Sequence, residues 1–130
     1  NNRKKSCVIE FPFCYPSRNE TEGWHWAKRK RLHDRFQRNC EFVIAQLDVP
    51  EFFGKTKIYF DLYFSKKRKR DVDNFFPKWL LDSLVHAKII LDDSTDFVEL
   101  GEILIIGGET KTDKTVVRIE EVRMKIELRV

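Results

Sequence analysis

Residues 58–74 read IYFDLYFSKKRKRDVDN, and this stretch decides the fold. Ile58, Phe60, Leu62 and Phe64 alternate with Tyr59, Asp61, Tyr63 and Ser65. A period of two is that of a strand with one buried face. Lys66 to Arg70 are all basic, so the chain must leave the strand into solvent. Asp71-Val72-Asp73-Asn74 follows. A helix is predicted over Pro77 to Ala87, with Leu80, Leu81 and Leu84 as its apolar stripe. Pro77 suits a first helical position, where its missing N–H costs nothing.

On the N-terminal side, Cys7 to Phe13 reads as a short strand ended by Pro12 and Pro16. Tyr15 to Gly23 is a polar loop rich in turn formers. From about Trp24 the period becomes helical: Leu32, Phe36, Val43 and Leu47 fall on one face, and Pro50 and Gly54 end the helix. On the C-terminal side, Ile89 to Leu91 reads as a brief strand. Phe97 to Ile106 is another, ended by Gly107-Gly108. Val116 to Val130 is long and β-rich, with Val122, Met124, Ile126, Leu128 and Val130 alternating with charges. Glu120-Glu121 breaks that phase, which suggests a bulge or a bend. The order β-α-β-α-β-β-β describes one α+β domain over residues 1–130, a mixed sheet with two main helices packed on it.

Composition agrees with a single folded unit. The chain has 130 residues, 42% of them apolar, with eleven Phe and three Trp. A chain of this size hides roughly two thirds of its unfolded surface and needs no metal or disulfide staple. Cys7, Cys14 and Cys40 are odd in number and form no Cys-x-x-Cys pair. Reduced thiols in a cytoplasmic protein are the expectation. The longest apolar runs, Phe42 to Ala45 and Ile103 to Ile106, are four residues each, so no bilayer span and no membrane partner is expected. Arg3, Lys4 and Lys5 precede no apolar region of signal-peptide length.

Lys and Arg number 25 against 21 Asp and Glu, a net charge of +4. The positives cluster at Lys28-Arg29-Lys30-Arg31 and at Lys66-Lys67-Arg68-Lys69-Arg70. Clustered cations favour an anionic partner, with nucleic acid the first candidate and solvated surface faces the plainer one. Asp71 and Asp73 would point the same way in an extended segment. Two adjacent carboxylates repel unless a cation lies between them, and Mg²⁺ or Mn²⁺ is the usual resident. Asp and Asn also favour turns and helix caps, so a structural role stays open. A calcium loop starting at Asp71 is excluded, because it needs Gly and Glu where the chain has Phe76 and Asp82.

Asp92-Asp93 is a second acidic pair, which a strand–helix–strand unit would return towards Asp71 and Asp73; an ordinary turn is the alternative. Lys78, near the start of the intervening helix, suits charge neutralisation on a phosphate, or an i,i+4 pair with Asp82. The basic run ends one residue before Asp71, which is the layout of a metal-dependent phosphodiesterase acting on nucleic acid. Phe75 and Phe76 suit either base contacts or packing in a core or dimer interface. His25, His33 and His86 show no mutual spacing that suggests a site.

The ordered set of basic run, Asp71-Val72-Asp73-Asn74, Lys78, Asp82-Ser83-Leu84 and Asp92-Asp93-Ser94 resembles the RusA family of Holliday junction resolvases. The Pro16-Ser17-Arg18-Asn19 loop and His25-Trp26-Ala27-Lys28-Arg29 are also similar to phage-type members, and the likeness runs from about Val8 to Met124. The resemblance implies a Mg²⁺-dependent homodimeric endonuclease that cuts opposed strands of a four-way DNA junction, in a bacterial or phage setting. It places catalytic and metal-binding roles on Asp71, Asp73 and Asp93, with Asp92 adjoining, and a catalytic role on Lys78. It implies a phosphate contact from Arg70, while Lys66 to Lys69 beside it and Lys28, Arg29 and Arg31 are candidate DNA contacts by their clustered charge. The likeness departs at one point: the family's Lys usually stands four residues after the second Asp, whereas Pro77 fills that place here and Lys78 comes fifth. Two other readings remain beside it: a non-catalytic DNA-binding protein whose acids are structural, and an RNA-directed nuclease of the same chemistry.

Overall fold

The computed structural model describes residues 4–122. Four strands form one mixed sheet: β1 (Ser6–Phe11), β2 (Thr56–Phe64), β3 (Val98–Gly107) and β4 (Lys114–Glu121). The spatial order is β1-β4-β2-β3. β4 pairs antiparallel with both β1 and β2, while β2 and β3 run parallel. Three helices complete the fold: α1 (Arg18–Thr21), α2 (Trp26–Ala45) and α3 (Lys78–His86). A 3₁₀ turn, Val72–Asn74, lies between β2 and α3. This is the expected α+β domain. No helix among the described residues is long and apolar enough to cross a membrane.

The two-residue period of β2 appears directly in its burial. Thr56, Ile58, Phe60, Leu62 and Phe64 are buried, and the residues between them are only half-buried. The buried set meets Leu80, Leu81 and Leu84 of α3, Cys40 and Ile44 of α2, and Ile9 and Phe11 of β1 in one core. Burying side chains of this size contributes about 1.5–3 kcal/mol each.

Several expected boundaries move. The loop over Tyr15–Gly23 contains one helical turn, because Ser17 and Glu20 form a reciprocal capping box. The inward residues of α2 are Cys40 and Ile44, with Phe36 and Val43 packed beside them, whereas Leu47 lies beyond the helix end and is exposed. Pro77 is the N-cap of α3 rather than its first residue. No bulge forms before the phase break at Glu120-Glu121: β4 keeps register with β1 through Glu120 and with β2 through Glu121, and the strand ends there. The register shift lies instead between β2 and β3, where Tyr59 faces Gly101. A Cβ at Gly101 would come within 2.6 Å of the Tyr59 ring, so the side-chain-free residue admits the ring there. The alternation from Met124 to Val130 lies outside the described residues.

The predicted strand at Ile89 to Leu91 does not form. The N–H groups of Lys88 and Ile89 donate to the carbonyls of Val85 and Leu84, closing α3 with paired terminal bonds, and Ile89 and Ile90 are buried in that turn. The four-strand sheet therefore replaces the expected five. The closure places Lys88 at φ 62°, the left-handed region that favours glycine. Lys88→Gly is expected to stabilise the fold by about 0.5–1 kcal/mol, read as a higher urea midpoint at unchanged slope.

Candidate active site

β2 ends at Phe64 and the basic run emerges there as an exposed loop. Arg70 folds back from its end. Its guanidinium lies 4.0 Å from the Phe64 ring centroid, and its Nη1 donates to the Lys66 carbonyl at 3.1 Å. Lys66, Arg68 and Arg70 line one recess with Phe64, Ser65 and Asp113. Lys67 and Lys69 are exposed on the same loop.

One residue on, Asp71 is extended and precedes the 3₁₀ turn that holds Asp73 and Asn74. Asp71 and Asp73 are exposed and line a second recess with Arg18, Asn19, Glu22 and Asn74. Asn74 Oδ1 accepts the Asn19 N–H at 2.9 Å, which ties the turn to α1. Phe75 is buried under the turn at 4% exposure, and its carbonyl accepts the Tyr15 hydroxyl at 2.6 Å. Phe76 points the other way and is 53% exposed.

Lys78 opens α3. Its Nζ lies 2.7 Å from Asp93 Oδ2 and 3.0 Å from Asp82 Oδ1. The i,i+4 pair expected from spacing is present, and Asp93 joins it. The chain returning from Ala87 thus brings Asp93 to the first turn of α3. Asp92, beside it, is exposed. The polar contacts continue: Asp82 Oδ2 is 2.9 Å from His33 Nε2, His33 Nδ1 is 3.5 Å from Asp34, and Asp34 pairs with Lys30 at 2.9 Å. The His33 ring packs edge-on to Trp79, which fixes its plane. Neither His33 nor the wall formed by Arg18, Asn19 and Glu22 was legible in the spacing, because the partners lie 49 and 55 residues apart in sequence.

The acids therefore separate into two groups. Asp71 and Asp73 share one recess, and Asp93 is held by Lys78. No three His, Cys, Asp or Glu side chains among the described residues come together as a metal-holding group. The donor chemistry of Asp71 and Asp73 still fits Mg²⁺, which binds through one or two carboxylates and takes its remaining ligands from water and substrate phosphate. At the start of α2, Lys28, Arg29 and Arg31 are exposed; Lys28 Nζ lies 4.4 Å from the Trp24 ring centroid, and Arg29 donates to the Thr21 carbonyl at 3.0 Å.

The cysteines are free and take no part in this region. Burial pushes the Cys40 thiol up to about 12, far from thiolate reactivity.

The Lys78 ammonium holds the Asp93 carboxyl below the ordinary carboxylate range, and Asp93 and Asp82 together raise Lys78. A carboxyl with a lowered folded pKa contributes stability above its unfolded value, about 3.9, and loses it as pH falls through the folded value. Lys78→Met is expected to move the Asp93 titration upward, as followed by carboxyl NMR.

No protein-family model matches the chain, and no curated protein matches it.

Proposed function

We propose that this chain is a Mg²⁺-dependent endonuclease of the RusA type, acting as a homodimer on four-way DNA junctions in the cytoplasm. The observation that carries the reading is the order of parts along the β2–α3 connection. A basic recess, an acidic recess and a lysine bound to a further acid follow one another within thirteen residues, Lys66 to Lys78. A polyanion attracted by the first would reach the second with its charge already partly compensated.

Asp71 and Asp73 would hold the metal. Mg²⁺, when bound, supplies positive charge opposite the scissile phosphate and an acidified water. Arg70, anchored by Phe64 and the Lys66 carbonyl, is a fixed phosphate contact, with Lys66 to Lys69 around it. Lys28, Arg29 and Arg31 would extend the contact along the strand. Lys78 has two states in this reading. Without DNA it neutralises Asp93 and Asp82; with a phosphate nearby it turns to the phosphate and releases Asp93 as a further carboxylate for the site.

The alternative is a DNA-binding protein without nuclease activity, in which Asp71 and Asp73 serve the turn and Asp93 serves the ion pair. One observation favours it: Asp93 is already paired with Lys78 and stands outside the Asp71–Asp73 recess.

The two readings separate on a labelled synthetic four-way junction, incubated with Mg²⁺ or chelator beside a matched linear duplex. The nuclease predicts paired, symmetric, Mg²⁺-dependent nicks that favour the junction. Asp73→Asn is expected to lower cutting by more than the roughly 10- to 100-fold that loss of an outer-shell partner costs, with junction binding kept. Salt-sensitive binding that Mg²⁺ leaves unchanged, with no cutting, would establish the alternative.

A further inference from the structure

Beside the basic recess lies a groove that the cleavage reading does not use. Its volume is about 370 Å³, and its apolar walls are Phe13, Trp24, Leu32, Phe36, Phe64 and Trp79. Small-molecule sites begin at roughly 300 Å³ and combine apolar and aromatic walls with a few polar groups. Most polar groups lining this groove are already engaged. Tyr15 donates to the Phe75 carbonyl, and the Cys14 thiol to that of Lys114. Glu20 accepts from Ser17, and Asp113 accepts from the Ser65 N–H at 2.8 Å. Arg35 and Asn39 remain as its polar lining.

The groove adjoins the basic recess, and the two share Glu20, Phe64 and Asp113. Phe64 is thus common to both, with the Arg70 guanidinium stacked on it. Arg70 Nε is buried and has no hydrogen-bond partner. Lys66 and Arg68, exposed beside it in the same recess, are cations that a phosphate can reach from solvent.

We infer that groove and recess together form a nucleotide subsite, the aromatic groove taking one unpaired nucleobase and Lys66, Arg68 and Arg70 taking its phosphate. Aromatic walls accept any base through its π-face, and planar guanidinium groups suit phosphate oxygens. Duplex DNA cannot enter, because its bases are stacked inside. The subsite therefore selects strands with unpaired bases. The inference rests on the nucleic-acid part of the reading above and is independent of cleavage.

The test is performed in chelator, so that no strand is cut. A dye-labelled single-stranded oligothymidylate of eight nucleotides is titrated with the protein and compared with an abasic strand of the same length and charge. The expected result is at least tenfold tighter binding of the strand with bases. Trp24→Ala is expected to remove most of that difference while leaving the salt dependence unchanged, and Arg68→Ala is expected to lower the slope of log affinity against log salt by about 0.7. Competition by thymidine monophosphate, but not by inorganic phosphate, would show that the free nucleotide suffices. Competition by neither would restrict the ligand to a strand. Equal affinity for the two strands by the unaltered protein overturns the proposal, as does protein self-association that accounts for the whole signal. Failure to cut junctions alongside base-dependent binding would overturn the nuclease reading and leave this one standing.

Discussion

β3 lies parallel to β2, and a parallel neighbour cannot be reached through a tight turn. The chain must leave one end of β2, cross the sheet and re-enter at the other end. α3 is that crossing. Its Leu80, Leu81 and Leu84 bury against the same face that carries Ile58, Phe60 and Leu62, so core packing fixes its position. The acids and the second basic run of the candidate site are arranged by this crossing. The exit from β2 carries the cations and the Asp71–Asp73 turn. The return from α3 to β3 carries Asp92 and Asp93, and the buried turn at Ile89 and Ile90 sends that return back to the helix's first residue.

The site is an alternation of charge imposed on a rigid frame. Cations at Lys66 to Arg70 stand next to carboxylates at Asp71 and Asp73, and Lys78 stands between Asp82 and Asp93. Polar contacts continue from Asp82 through His33 and Asp34 to Lys30, which links α3 to α2 outside the core. Pairs this exposed contribute little stability each, because water and salt screen them. Their consequence is orientation: Asp93 is directed by Lys78 of α3, and Asp82 by Lys78 and by His33 of α2. Arg70 is similarly fixed, since a ring beneath it and a carbonyl of its own loop hold its guanidinium before any partner arrives. A contact ordered in advance loses less side-chain entropy on binding.

The strands and helices that rest on period and core burial were legible in the residues. β2 alternates over its whole length, and α3 shows its leucine stripe, so both lie where pattern places them. The misreadings fall where backbone hydrogen bonding overrides apolar content. Ile89 to Leu91 has the composition of a strand, yet its first N–H is taken by the closing turn of α3. The capping box at Ser17 and Glu20 makes a helical turn inside a loop of turn formers. The register shift at Gly101 depends on the Tyr59 ring opposite, which no reading of β3 alone could reveal. In the site, the succession of basic run, paired acids and lysine was visible in linear order. Tertiary structure decided the partners: Asp93 with Lys78, His33 with Asp82, and Asn19 with Asn74, across 15, 49 and 55 residues. Local order sets which residue types are present and how each element is phased. Which side chains meet across such distances is set only when the sheet register and the crossing of α3 are in place, because those long-range packings, and not sequence spacing, fix the ångström-scale distances on which ion pairs and hydrogen bonds depend.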